Sequence, residues 1–361
     1  MVKRATIKDI AEQAGVSLGT VHCALAGKAG VGEATRRRIL EIARNVDYRP
    51  NAVAASLKRK AVRIAAAFPR PTEENRYYFP HVWRGVRDYL QSQRDFNVSL
   101  VEVPYRNRLD SREEELSRLL DDGGLDGLLT VGFTDDFGQA SLVRFAEAGV
   151  PVVLVGDDMP QSGRRCCVQP NYEMDGRILA ELLSRQVSAD GSILICAGNA
   201  AMPSHYLIVA GFDAYMHENG LDNPVYKIHT ESFGDEGHLR IARELERQPG
   251  VEACVAVNAR GSVMLGRALV ESGRAGRMIA VGSDLFKENA AFLRDGVFTN
   301  LLHKNPYHQA QMAAKILVDC ILRDYEPPRG VLFVGSEVVF HSALPMYASG
   351  RPAAPAFAWA D

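Results

Sequence analysis

Long apolar stretches are missing from this sequence, and their absence limits where the protein can act. No uninterrupted apolar run approaches the length that a membrane-spanning helix needs. Met1 leads directly into a polar helical pattern, without the apolar segment of a secretory signal peptide. We therefore expect a cytoplasmic protein with no membrane partner.

The sequence also has few features of a metal site or an enzyme. Its six cysteines, at positions 23, 166, 167, 196, 254 and 320, show no C-x-x-C or Cys/His ligand spacing, and most lie in apolar runs. It contains no G-x-S-x-G, H-E-x-x-H or P-loop motif, and no G-x-G-x-x-G after a strand. We expect buried reduced thiols, no metal, no cofactor and no catalysis.

Charge is distributed unevenly along the chain. Residues 1–60 hold 12 Lys and Arg against 5 Asp and Glu, a net charge of +7, whereas the whole chain has a net charge of −2. The remaining residues therefore carry −9. A basic head on an acidic body indicates a nucleic-acid-binding module joined to another domain.

Three short helices are predicted in the basic head. Thr6 can cap a helix that ends at Gly15, and Ser17 can cap a second helix from Leu18 to about Leu25. A third runs from about residue 34 to residue 45. Two helices joined by such a tight turn are typical of a helix-turn-helix unit, whose second helix enters the major groove. A plain three-helix cap on the body is the alternative, and the charge of +7 disfavours it.

From residue 62 onward, short apolar runs alternate with helical patterns. We predict strands at 62–68, 97–103, 126–132, 151–156, 192–197, 225–230, 253–257, 278–282 and 331–340. Helices are predicted near 80–94, 111–122, 137–148, 172–186, 205–219, 236–247, 261–272, 287–294 and 306–323. This rhythm predicts βαβ units with parallel sheets. About 280 residues are more than a single hydrophobic core usually holds, so we expect two α/β lobes.

Residues 6–60 closely resemble the amino-terminal domain of the LacI family of bacterial transcriptional regulators. The family signature T-x-x-D-[IV]-A-x-x-A-G-V-S-x-x-T-V is present from Thr6 to Val21, and the pattern Y-x-P-N-x-x-A-x-x-L from Tyr48 to Leu57. The resemblance implies a homodimer that binds double-stranded operator DNA. It also implies that residues 50–60 form a hinge helix, in which Leu57 is a minor-groove wedge.

Three departures from the family pattern concern DNA recognition. The family usually continues T-V-S-R where this chain has Thr20, Val21, His22 and Cys23, so an arginine is missing. Gly32 stands where a serine cap is common. The predicted DNA-binding residues are Thr6, Ser17, Leu18, Gly19, Thr20, His22, Cys23, Asn51, Ala54 and Leu57. We expect weaker direct readout than is usual in the family.

The body resembles the family's effector domain, which is similar to periplasmic sugar-binding proteins. The resemblance implies two Rossmann-like lobes, three crossovers and a ligand between the lobes, where the strands have their carboxyl ends. The predicted ligand-binding residues are Tyr77, Tyr78, Phe79, Asp157, Tyr206, Asn258, Asp284 and His303. The arginine that the family aims at its ligand is missing near Tyr206, which disfavours an anionic ligand. If an anion binds nonetheless, His303, Lys304 and Arg260 are the first candidates to hold it.

These observations predict four segments and one function. Residues 1–49 are expected to form the helix-turn-helix domain, 50–60 the hinge, 61–345 the two-lobed effector and dimerisation domain, and 346–361 a disordered tail. We expect a transcriptional regulator, and a repressor rather than an activator, whose affinity for DNA changes when a sugar or polyol binds. The alternatives are a regulator that binds ligand but has lost specific DNA binding, and a sugar-binding protein.

Overall fold

The structure is a computed structural model, and it describes residues 6–25, 30–46, 61–105, 112–132, 136–229 and 236–348. The chain divides into two compact units, one ending at Lys60 and the other beginning at Ala61. The predicted hinge residues Asn51, Ala54 and Leu57 lie outside the described residues. Within the described part of the chain, no helix is both long and apolar enough to cross a membrane.

The first unit contains helices α1 (Ile7–Ala14), α2 (Leu18–Leu25) and α3 (Glu33–Asn45). Thr6 and Asp9 form a capping box at the start of α1, and Gly15, at a φ of 63°, ends that helix. The Ser17 hydroxyl accepts a hydrogen bond from the Thr20 amide at 3.1 Å. Gly32 precedes α3 and offers no side-chain cap. The expected starts of α1 and α2 are thus explained by local hydrogen bonds.

A small apolar core holds the three helices together. Ile10, Val21 and Ile39, one from each helix, are fully buried, and four alanines fill the space between them. Alanine lets the helix backbones approach closely, so this core is compact although each helix is short.

The second unit contains two six-stranded sheets. The first sheet, of lobe 1, has the order β11-β5-β4-β3-β1-β2, with β1 (Val62–Pro69), β2 (Val98–Tyr105), β3 (Gly127–Thr130), β4 (Val152–Val155), β5 (Cys166–Pro170) and β11 (Val331–Val334). The second, of lobe 2, has the order β12-β10-β9-β8-β6-β7, with β6 (Ser192–Gly198), β7 (Val225–His229), β8 (Val251–Ala256), β9 (Ile279–Ser283), β10 (Asn300–His303) and β12 (Glu337–Phe340). Among the strands in the described part of the chain, only β12 pairs antiparallel, to β10.

The helices of the second unit follow the predicted alternation. They are α4 (Phe79–Ser92), α5 (Arg112–Asp121), α6 (Asp136–Glu147), α7 (Tyr172–Ser184), α8 (Pro203–Glu218), α9 (Gly237–Arg247), α10 (Ala259–Glu271), α11 (Lys287–Arg294), α12 (Pro306–Arg323) and α13 (Leu344–Ala348). The chain passes between the lobes three times: after β5, after β10, and between β11 and β12. The prediction of two parallel-sheet lobes with three crossovers is confirmed.

Three sequence predictions need correction. Strands β5 and β10 were missed, because their sequences, CCVQP and NLLH, contain polar residues that interrupt the apolar pattern by which the other strands were recognised. The run 331–340 is two strands in different sheets, because the chain changes lobe at residues 335–336. The tail was placed too early: α13 extends to Ala348, and Tyr347 packs on the core of lobe 2 and donates to Glu337 Oε2 at 2.6 Å.

Candidate functional site

The outward face of α2 carries few polar groups. Leu18 is 45% exposed, Gly19 and His22 are exposed, and Cys23 is half-buried. Ser17 and Thr20 are bonded to each other through their hydroxyls at 2.9 Å. The exposed basic residues lie on the neighbouring helices, with Lys8 on α1 and Arg37 and Arg38 on α3. The face predicted to read DNA is therefore small and uncharged, and it has basic residues on both neighbouring helices of the unit.

A cleft of about 1020 Å³ lies in the second unit, where the carboxyl ends of strands from both sheets meet. Residues that follow β1 and β4 line it from lobe 1, and residues that follow β6, β8, β9 and β10 line it from lobe 2. This is the position that open parallel sheets give to ligands. Its size suits a small-molecule ligand.

Two tyrosine hydroxyls lie near Gly156 at the wall of the cleft. The Tyr78 hydroxyl donates to Gln309 Oε1 at 3.3 Å. A side chain at Gly156, whose φ is +80°, would bring its Cβ within 3.5 Å of the Tyr78 hydroxyl and 3.9 Å of the Tyr172 hydroxyl. Burial, assisted by nearby carboxylates, raises the pKa of both phenols well above the ordinary value. Both stay protonated at neutral pH. The Tyr172 hydroxyl can donate to a ligand, and the Tyr78 hydroxyl, whose hydrogen goes to Gln309, can accept a hydrogen bond from one.

Tyr77 borders the cleft, but its ring also joins the two lobes. It is buried and packs on the ring of Phe286 with 5.1 Å between centroids, in a cluster with Ala259 and Val263. The Arg76 guanidinium also lies over the Tyr77 ring, 4.5 Å from its centroid. These contacts occupy much of the surface that the sequence offered to a sugar ring.

Asn258 caps a helix at the lobe 2 wall. Its Oδ1 atom accepts a hydrogen bond from the Gly261 amide at 2.7 Å. This bond caps the N-terminus of α10. Its Nδ2 atom points toward Gly198, where a Cβ would come within 2.6 Å of it. Asn258 is half-buried and borders the cleft. The structure thus brings the predicted Asn258 to the cleft, with its carbonyl used by its own helix.

Asp284 and Lys304 form a buried ion pair in the same wall. Asp284 Oδ2 lies 3.0 Å from Lys304 Nζ, and Asp284 Oδ1 accepts from the Lys304 amide at 3.0 Å. Burial acts to raise the pKa of Asp284, but the Lys304 ammonium and His303 outweigh it and hold that pKa well below its usual range. Asp284 is therefore ionised, and each of its oxygens already accepts a hydrogen bond from Lys304.

Two polar contacts join the lobes across the cleft. Asp157 Oδ1, from lobe 1, accepts from the Ser204 amide at 3.0 Å, in the first turn of α8 in lobe 2. The Arg260 guanidinium, from α10, donates to Glu74 Oε2 at 3.0 Å. With the Tyr77–Phe286 contact, these bonds hold the two lobes together around the cleft.

Two predicted ligand residues do not line the cleft. Tyr206 is 61% exposed, because on α8 the neighbouring Ser204, His205 and Ile208 take the cleft side and turn residue 206 outward. His303 lies behind the wall: its Nδ1 atom accepts from the Leu285 amide at 3.3 Å. Phe79 borders the cleft and stands edge-on to the Tyr78 ring.

Some cleft residues were not predicted. Tyr172 begins α7 directly after β5, so missing that short strand hid it. His205 follows β6 on the next helix, and its Nδ1 atom accepts from the Asn199 amide at 3.0 Å. Among the residues that the structure describes, no group of three His, Cys, Asp or Glu side chains is arranged to hold a metal ion.

Known protein families match the two units of the chain separately. Residues 66–322 match the periplasmic binding protein domain family, and residues 6–51 match the bacterial regulatory proteins of the lacI family. The chain belongs to the LacI family. The resemblance seen in its first 60 residues and in its body is confirmed.

Curated relatives of this LacI-family chain match it over part of their length. Catabolite control protein A of Streptococcus mutans is 31% identical over 152 residues, 42% of this chain and 43% of that protein. The HTH-type transcriptional repressor PurR of Photobacterium profundum is 30% identical over 175 residues, 48% of this chain and 50% of that protein. The match thus spans half or less of these relatives.

Solved structures share the fold of the body. A LacI transcriptional regulator from Bacteroides fragilis aligns with a TM-score of 0.70 and 17% identity, over 80% of this chain and 100% of that one. A solute-binding protein from Burkholderia graminis, in complex with D-arabinose, aligns with a TM-score of 0.70 and 18% identity, over 79% of this chain and 97% of that one. At these identities the likeness shows the fold alone.

Proposed function

We propose that this LacI-family chain is a homodimeric DNA-binding regulator, in the first instance a repressor, and that a neutral polyhydroxylated ligand in the cleft changes its affinity for operator DNA. The observation that carries the proposal is the combination of a basic helix-turn-helix head with a separate ligand-sized cleft in one chain. Such a regulator acts in the cytoplasm, where the operator is.

The charges of the cleft support a neutral ligand. Lys304 is paired with Asp284, and Arg260 is paired with Glu74. Of the three cations that the sequence offered to an anion, two therefore already have carboxylate partners, and His303 lies behind the wall. Arg70 also borders the cleft, and its guanidinium donates to the Pro104 carbonyl at 3.1 Å. The hydroxyls of Tyr78 and Tyr172 and the amide of Asn258 remain as groups that suit hydroxyls of a ligand. Several solved structures with this fold are of sugar-binding proteins, one with bound D-arabinose.

The experiment combines DNA selection with a ligand screen. The full chain is used to select binding sites from random DNA, and a panel of neutral sugars and polyols is screened by thermal shift. A bound ligand raises stability by RT ln(1 + [L]/Kd), so a real effector shifts the melting temperature at concentrations above its Kd. We expect that ligand to change the affinity for the selected DNA, measured by fluorescence anisotropy. A ligand that stabilises the protein and leaves DNA affinity unchanged argues against regulation.

The outward face of α2 favours a second candidate, a protein that binds ligand but has lost specific DNA binding. Leu18, Gly19 and His22 provide no permanent cation, and Cys23 replaces the arginine of the family pattern. This candidate predicts equal affinity for selected and random DNA. The regulator predicts tighter binding to selected DNA, by a factor of about 10³ or more.

A further inference from the structure

Lys304 is a buried lysine in the wall of the cleft. It directly follows β10 and is 6% exposed. Its ammonium group donates to Asp284 Oδ2 at 3.0 Å, to the Val257 carbonyl at 3.4 Å and to the Ser283 hydroxyl. An ammonium group has three N–H bonds and no lone pair. Three acceptors therefore match its three donors.

The acceptors are held in place by lobe 2 itself. The Asn289 amide group donates to the carbonyls of Ser283 and Asp284, each at 2.8 Å. The Ser283 amide donates to the Ser262 hydroxyl at 2.5 Å, and Asp284 has a φ of 69°, in the left-handed region. A carboxylate, a hydroxyl and a carbonyl fixed in this way form a complete binding site for one ammonium group, which we call the ammonium subsite (Val257, Ser283 and Asp284).

The ammonium subsite opens toward the cleft. Asp284, Val257 and Lys304 all border the cleft. The sequence assigned Asp284 to the ligand, and in the structure a side chain of the protein occupies this acceptor.

We propose that Lys304 determines the ligand specificity of the cleft by filling the ammonium subsite with its own ammonium group. The ligand of the unaltered protein then carries no ammonium group at this position and donates no hydrogen bond to Asp284. Removing the Lys304 side chain opens a subsite for an alkylammonium group. That Lys304 fills the subsite does not depend on the proposed function, whereas the statement about the natural ligand rests on it.

The first experiment restores the missing ammonium group from solution. Lys304→Ala removes the atoms of one n-propylammonium ion, so the full-length variant is titrated with n-propylammonium chloride and followed by thermal shift. We expect a saturable rise in melting temperature of about 2–4 °C or more in the variant and none in the unaltered protein. 1-Propanol, which has nearly the same shape and no charge, should have no such effect.

Two control variants separate this site from general salt effects. Lys304→Ala combined with Asp284→Asn removes the carboxylate and should abolish the response to n-propylammonium. Asn is compatible with the left-handed backbone at position 284. Lys315→Ala removes an exposed lysine of α12 that pairs with the buried Asp319 at 2.6 Å, and it should show no response because Asp319 keeps Arg323 as a partner. A response that is equal in all three variants, or absent from Lys304→Ala, overturns the proposal.

The test remains decisive if Lys304→Ala does not fold, since removing one partner leaves a buried charge behind. The readout is then the yield of native protein on refolding with and without n-propylammonium. The proposal predicts recovery with the ion for the single variant. For the double variant, which has no buried charge, it predicts refolding that does not depend on the ion. Refolding of the single variant that the ion does not improve contradicts the proposal.

Ligand classes are then compared between proteins. Neutral sugars and their amino-sugar counterparts are screened against the unaltered protein and Lys304→Ala. We expect stabilisation of the unaltered protein by a neutral sugar only, and a gain of at least ten-fold in amino-sugar affinity in the variant. Rescue by n-propylammonium without any sugar or DNA response refutes the proposed function alone. Sugar-regulated DNA binding without rescue refutes the role of Lys304 alone.

Discussion

Cys23 is the residue at which this head departs most from the DNA-binding pattern of its family. It is half-buried on α2, beside the exposed His22. We predict that Cys23→Arg increases DNA affinity, because the guanidinium gains a phosphate or a guanine edge. A phosphate contact steepens the salt dependence of binding by about one ion, and a guanine contact adds about 1–3 kcal/mol of base discrimination.

Anisotropy titrations of selected and random DNA at several salt concentrations check the Cys23 prediction. Cys23→Ser is the matched control, since it replaces the thiol without adding charge. An arginine variant with the affinity and salt slope of the serine variant shows that position 23 does not face DNA.

Asp175 is a buried carboxyl group in the first turn of α7. It is 2% exposed, and within the described residues its Oδ2 atom has no hydrogen-bond partner. Burial raises its pKa from the ordinary value to about 6. The folded protein therefore holds this proton more tightly than the unfolded chain, and the associated stability is full below about pH 4 and lost as the pH rises to 6.

Replacing Asp175 with Asn removes that pH dependence. We predict that Asp175→Asn stabilises the protein by about 1–3 kcal/mol at pH 7.5, and that the difference shrinks toward zero at pH 4. Urea unfolding at both pH values measures it. A difference between the two proteins that is the same at both pH values contradicts the role assigned to burial.

At the scale of elements, the N-terminus of α8 is capped from the opposite lobe. Met202 precedes the helix and offers no side-chain cap, and Pro203 has no amide hydrogen. Asp157 of lobe 1 supplies the acceptor for the Ser204 amide. A cap of this kind contributes about 1 kcal/mol to stability. Because this cap joins the two lobes, it also favours the arrangement in which they meet around the cleft.

We predict that Asp157→Ala lowers ligand affinity by about five- to ten-fold, because one bond between the lobes is lost. Asp157→Asn keeps an oxygen that can accept from the Ser204 amide and should retain most of the affinity. Calorimetric titration of the ligand found in the thermal-shift screen compares the two. Equal losses in both variants indicate that Asp157 touches the ligand through its charge, not that it joins the lobes.

At the scale of the whole molecule, the proposed function requires two chains. One helix-turn-helix head makes too few base contacts for tight specific binding, so two heads are needed on neighbouring half-sites about one helical turn apart. We predict that the full chain is a dimer at micromolar concentration, with a light-scattering mass twice that of the chain. We also predict selected DNA sites with two-fold symmetry. A monomeric mass together with asymmetric sites contradicts the dimeric regulator.

Local patterns in the sequence were sufficient for the head and for the order of elements in the body. The caps at Thr6 and Ser17 act on residues three positions away, so a few neighbouring residues determine where each of these helices begins. The alternation of strands and helices predicted two parallel-sheet lobes. It also placed Asn258 and Asp284 at the cleft, because residues that follow parallel strands meet at one edge.

Only the tertiary structure decided which of those residues are available to a ligand. Lys304 meets Asp284 across 20 positions of sequence, after a strand, β10, whose polar ends hide it in the sequence. Tyr77 meets Phe286 from the other lobe, and the rotation of α8 turns Tyr206 outward. Sequence spacing determines which edge of a sheet a residue occupies. The residues that its side chain contacts there depend on packing between distant segments, and a local sequence pattern does not predict those contacts.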